Sequence, residues 1–145
     1  MIGNIKIIAV CMCKVYDERN YRIIRALNNL AVENDYRLFV YHTCSDLYWK
    51  TLSEKGEQSV FDLIDYNITD AVVTFEEGVY AENVMTKIRM DAAKYGKPVI
   101  SVGVEHDDCI SIKFDYAKGF EQVVRHVIEQ HGVRDIGFIA GRKDE

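Results

Sequence analysis

The chain has 145 residues, enough for one domain with a sizeable core, and its 48% hydrophobic and 28% charged residues make an ordinary globular balance. A net charge of -5, with acids and bases interleaved and no basic run, excludes an electrostatic footprint for nucleic acid. No apolar run approaches the roughly 20 residues that cross a bilayer, and the first residues lack the charged-then-apolar pattern of a cleaved leader. A soluble, cytoplasmic domain with no membrane partner is the expectation.

Ile5 to Val10 is an apolar run interrupted only by Lys6. It is rich in β-branched residues and too short for a buried helix, so it reads as a central parallel strand. Cys11 to Tyr16 is expected to leave it as a loop, and Asp17 to cap a helix running to Asn34. Ile23, Leu27, Leu30 and Ala31 share one face of that helix, and Arg37 to Thr43 alternates as a strand nearer an edge would. A polar loop carrying Tyr48 and Trp49 leads to a helix over Glu54 to Tyr66 that buries Val60, Leu63 and Ile64. The aromatic pair is expected to pack over that helix.

Ala71 to Phe75 is the third strand, and Val84, Ile88 and Ala92 form the apolar stripe of the next helix. Gly96-Lys97-Pro98 stops it, because Gly suits the C-cap and Pro cannot continue the helix. Strands follow at Val99 to Val102, Cys109 to Phe114 and Ile136 to Ile139, with a helix between the last two. Ile110 to Gly141 is thus strand, helix and strand in about thirty residues, the size of one βαβ unit. The alternation throughout specifies an α/β fold with a doubly wound parallel sheet. In such sheets the crevice lies beyond the carboxyl ends of the strands, where strand order reverses.

Motifs for catalysis are missing from the sequence: no G-x-G-x-x-G follows the first strand, and there is no P-loop and no G-x-S-x-G. A receiver domain would want paired acids after the first strand, where this chain has Cys11-Met12-Cys13-Lys14. The module is expected not to be an enzyme and to hold no cofactor. Cys11, Cys13 and Cys44 gather with His42 at the ends of two neighbouring strands, but buried inert thiols are expected there rather than a metal site. His126 and His131 on the last helix read as structural.

The segments IIAVCMCKVYDERNYRIIRALNNLAVENDYRLFVY, NITDAVV, YGKPVISV and FDYAKGFEQVVRHVIEQHGVRDIGFIAG together resemble the effector-binding core of the lac repressor (LacI/GalR) family, a type I periplasmic-binding-protein-like fold. Asp115, Gly119, His126 and the closing Phe138-Ile139-Ala140-Gly141 stand where that family has them. The resemblance implies an N-terminal, Rossmann-like lobe over residues 1–114 and the first helix and strand of a truncated C-terminal lobe over 115–145. It lacks the family's helix-turn-helix. The last helix and strand are then expected to dock on the parent sheet or swap into a partner chain.

The function so implied is a small-molecule-sensing input domain of a bacterial regulatory or signalling protein, like a transcriptional regulator, with a diguanylate cyclase among the outputs it could serve. Homodimerisation through the outer helices of the first lobe comes with the resemblance. A stand-alone flavodoxin-like module for protein interaction or dimerisation is the alternative. Matching positions of the family's site put Tyr16, Asp17, Arg19 and Asn20 in the loop after the first strand as ligand-binding residues. Thr74, Glu76 and Glu77 follow the third strand. Gly103 stands where the family often has an Asp, with Glu105 a substitute two residues on, and Asp115 lies at the crossover. An acid-lined crevice suits a sugar-like, otherwise hydroxylated or cationic effector rather than a phosphate.

Overall fold

A computed structural model describes residues 5–77 and 79–139. The chain divides into two compact units, Met1–Lys113 and Phe114–Glu145. The first is built from β1 (Lys6–Cys13), α1 (Glu18–Glu33), β2 (Tyr36–Thr43), α2 (Leu52–Gln58), a 3-10 segment Ser59–Leu63, β3 (Ala71–Phe75), α3 (Glu82–Lys94), β4 (Val99–Val102) and β5 (Ile110–Ile112). The second holds α4 (Tyr116–His131).

All pairings in the sheet are parallel, in the order β2-β1-β3-β4-β5. The order reverses at β1, which pairs with β2 along its whole length and with β3 from Ile8 to Cys11. This central position explains its composition. Ala9, Val10, Cys11 and Met12 are essentially inaccessible, as a strand buried on both faces requires. Ala9, Cys11 and Cys13 join Phe61, Ile64, Met85, Ile88 and Ala92 in the core under α2 and α3. Val10 and Met12 point to the opposite face by the two-residue period of a strand. At the amino ends of the strands, Ile7 N–H donates to Asp70 Oδ2 at 2.7 Å while Asp70 N–H donates to the Ile7 carbonyl at 2.8 Å, a reciprocal clamp on β1 and β3.

Several elements differ from the expectation. β1 runs three residues beyond Val10, because Cys11, Met12 and Cys13 continue the register onto Tyr41, His42 and Thr43. Helix α2 begins at Leu52, where Thr51 and Glu54 form a capping box. It then tightens into the 3-10 segment rather than running on to Tyr66. The tighter winding puts residues three apart on one face, so Phe61 and Ile64 are buried and Leu63 is left 70% exposed. β5 is shorter than Cys109 to Phe114, and Ile136 to Ile139 form no strand. A strand needs a ladder partner, and the described residues offer that segment none.

Gly96, at φ +64, closes α3 in the left-handed conformation that its position predicted. In the second unit α4 is opened by Asp115, whose side chain accepts from Lys118 N–H at 2.9 Å, and closed by Gly132 in the left-handed region.

Ile88→Ala should cost about 2–5 kcal/mol, because it opens a cavity against the sheet, whereas Leu63→Ala should stay within about 0.5 kcal/mol. Urea unfolding of both variants measures this. Equal losses would contradict the facing assigned to the 3-10 segment.

Candidate functional site

Because every strand runs the same way, the loops after β1, β2 and β3 meet on one rim. Lys14 leaves β1 with φ +48 and is held there by its N–H, which donates to the Thr43 carbonyl at 2.8 Å. That turn aims its ammonium at Asp46 in the loop after β2, 3.0 Å away. The hydrogen bond lowers the Asp46 carboxyl below its ordinary range and raises the Lys14 ammonium, so each holds the other charged. Tyr16 hydroxyl donates to the Cys44 carbonyl at 2.6 Å, a second tie between the two loops. Asn20 Nδ2 donates to the Cys13 and Lys14 carbonyls at 3.0 and 3.1 Å and fastens the start of α1 to the strand end.

The loop after β3 is bound into the same rim. Tyr80 N–H donates to the Asp46 carbonyl at 3.0 Å, and Arg19 Nη2 donates to Glu77 Oε2 at 2.9 Å across the reversal point. The Tyr48 ring stands edge-on to both Trp49 and Tyr80, with centroids 5.0 and 4.9 Å apart. Tyr48 and Trp49 therefore contact each other and the loop ahead of α3 rather than simply covering α2. Trp49 is 77% exposed. Two ion pairs and an aromatic edge thus stand on the rim above β1, β2 and β3.

The loop after β2 is stiffened from within. Glu57 Oε2 accepts from Cys44 N–H (2.8 Å), Ser45 N–H (2.9 Å) and Ser45 Oγ (3.1 Å). Below it, Thr43 Oγ1 donates to the Ser45 carbonyl at 2.6 Å and lies 3.0 Å from Cys13 Sγ. Burial pushes the Cys13 and Cys11 thiols up, so both stay protonated. No cluster of metal-ligating side chains occurs among the described residues.

With this geometry in view, comparison with solved structures is informative. One match is a lac repressor dimer bound to operator and to the anti-inducer ONPF, with a TM-score of 0.60 over 88% of this chain at 11% sequence identity. The chain shares the fold of the lac repressor. It spans 36% of the repressor chain. No protein-family model and no curated protein matches the sequence.

Against the repressor-like sheet, the residues singled out from sequence separate into groups. Tyr16 and Arg19 tie the loop after β1 to the loops after β2 and β3, while Asn20 donates to strand-end carbonyls. Asp17 occupies the N-cap position of α1 without a side-chain capping bond. Glu105 pairs with Lys113 at the far edge of the sheet, and Asp115 belongs to the second unit.

Thr74 and Glu76 lie inside. Glu76 Oε1 accepts from Thr74 Oγ1 at 2.8 Å and Arg89 Nη1 at 3.0 Å; Oε2 lies 2.8 Å from His106 Nε2, which is itself 3.0 Å from Arg89 Nη1. Arg89 also donates to Thr86 Oγ1 at 3.1 Å, and its Nε, with no hydrogen-bond partner, lies 3.5 Å from Asp108 Oδ1. The cluster locks β3, α3 and the loop after β4 together. Sequence reasoning did not find Arg89, His106, Lys14 or Asp46. Arg89, one residue after Ile88 on the buried stripe, was the available signal.

Arg89→Leu should destabilise the chain by about 3–5 kcal/mol, because Glu76 is left buried without its cation. Adding Glu76→Leu should recover most of the loss. A surface-like cost below about 1 kcal/mol in urea unfolding of Arg89→Leu would contradict the pairing.

Proposed function

We propose that the chain is the first lobe of a small-molecule-sensing module in a regulatory or signalling protein, and is not itself an enzyme. The observation that carries this reading is the rim at the strand-order reversal, where Lys14–Asp46 and Arg19–Glu77 join the loops after β1, β2 and β3. Ligands of open α/β sheets bind at that place. Paired cation and anion offer donors and acceptors without a large net charge, which suits a sugar-like, otherwise hydroxylated or cationic effector. The exposed Trp49 and Tyr80 rings supply an apolar edge for it. The repressor-like fold supports a mechanism in which the effector favours one conformer over another and so changes the state of an attached output.

Thermal unfolding of the full chain against a library of sugars, polyols, amino acids and nucleosides tests the reading. A ligand present at about 100 times its Kd should stabilise the chain by about 2.7 kcal/mol. Asp46→Asn and Lys14→Met should abolish the effect without unfolding the protein. Stabilisation that survives both substitutions would move the site elsewhere, and a library with no binder would remove the effector reading.

A second reading, pairing of two copies through α1, has its own support. Only Ala31 of that helix is buried, while Tyr21, Leu30 and Val32 are each at least half exposed. Large apolar side chains left exposed on an outer helix favour association. Sedimentation should show a dimer that Leu30→Glu dissociates; a wild-type monomer at high concentration would remove this reading.

A further inference from the structure

His126 and His131 stand on the last two turns of α4, both exposed, with their Nε2 atoms 3.2 Å apart and their ring centroids 5.0 Å apart. Side chains meet along a regular helix at spacings of three and four, not five, so helical periodicity does not announce this contact. It forms where the helix ends, with Gly132 turning left-handed directly after His131. Neither ring has another hydrogen-bond partner among the described residues.

Two neutral imidazoles in this arrangement share one proton, because one Nε2 must donate where the other accepts. The donor ring has only to move its proton from Nε2 to Nδ1, through the surrounding water, to present a second lone pair. Bonds of about 2.0–2.1 Å from each nitrogen to a zinc ion, drawn across the 3.2 Å gap, enclose an angle of roughly 100°, close to tetrahedral. The gap is the width of a chelate. His131 also lies in the last turn of α4, where the negative end of the helix dipole favours a cation.

We propose that His126 and His131 together form a two-imidazole site for a divalent transition ion of the zinc type. Imidazole nitrogen suits zinc, copper and nickel, whereas magnesium and calcium seek oxygen ligands. Two ligands are fewer than a closed structural site requires, so the remaining positions on the metal belong to water or to a donor from another molecule. The pair lies wholly within the second unit, and the proposal does not depend on the effector reading.

Calorimetry of the full chain with Zn²⁺ tests the site, with Mg²⁺ as the control that should give no binding. His126→Gln and His131→Gln should each weaken Zn²⁺ binding about tenfold or more, because either change leaves a single nitrogen without its chelate partner. Joining the two substitutions should add little, since the nitrogens act as one unit. Gln130→His, added to His131→Gln, sets two imidazoles four residues apart on one helix face and should restore the binding.

NMR of the wild-type chain gives a second readout that needs no substitution. On addition of Zn²⁺ the imidazole resonances of His126 and His131 should move together, while those of His42 and His106, the other two histidines, stay in place. Cys44→Ser should leave the affinity unchanged, which separates the pair from the exposed thiol. No binding at millimolar Zn²⁺, affinity that survives either histidine substitution, a failed rescue or shifts centred on His42 overturns the site. Where a substitution disturbs α4 itself, as circular dichroism would show, the wild-type resonances decide alone.

Discussion

The constraint on which the first unit depends is the parallel pairing of β1 on both of its edges. A strand so placed has its backbone groups committed to two ladders and both faces in the core. No polar side chain with work to do can sit along it, so whatever the chain presents must begin where the strand ends. Lys14 marks that point. Holding a lysine at φ +48 costs roughly 1–2 kcal/mol, offset by its bond to the Thr43 carbonyl and its contact with Asp46. The parallel direction then delivers the loops after β2 and β3 to the same rim.

The end of β3 shows how one turn of sequence can hold two kinds of carboxylate. Glu76 is buried and has three partners, one of them a guanidinium, so its charge is matched where water is excluded. Its role is mechanical, because it ties the loop after β4 to α3. Glu77, one residue further, meets Arg19 across the rim and stays in water's reach. An ion pair of the second kind contributes little to stability.

Most of the architecture was legible in the sequence because parallel strands buried on both faces are short apolar runs, and the helices between them carry stripes at helical spacing. Val72 with its neighbours and the Ile88–Ala92 face are where those patterns put them. What was not legible depended on partners far away in sequence. The extra turn of ladder at Met12 and Cys13 exists because His42 and Thr43 arrive alongside. The capping box that starts the helix at Leu52 and the 3-10 winding that turns Leu63 outward were not legible either. An isolated acid such as Glu76 looks like any solvated loop residue until Arg89 and His106 are brought to it, and Lys14–Asp46 joins residues 32 positions apart. Of the site, the sequence located the loops but could not say which side chains within them were already engaged.

The grip of Glu57 on the loop after β2 has a chemical consequence for that loop. Two main-chain N–H groups and the Ser45 hydroxyl converge on one oxygen, the arrangement with which backbones commonly capture phosphate. Here the captor carries its own guest. Any phosphorylated metabolite approaching that loop meets a tethered rival at very high local concentration, and displacing it would strand a carboxylate that has lost three donors. The anion seat of this loop is thereby filled by a residue of the chain's own helix.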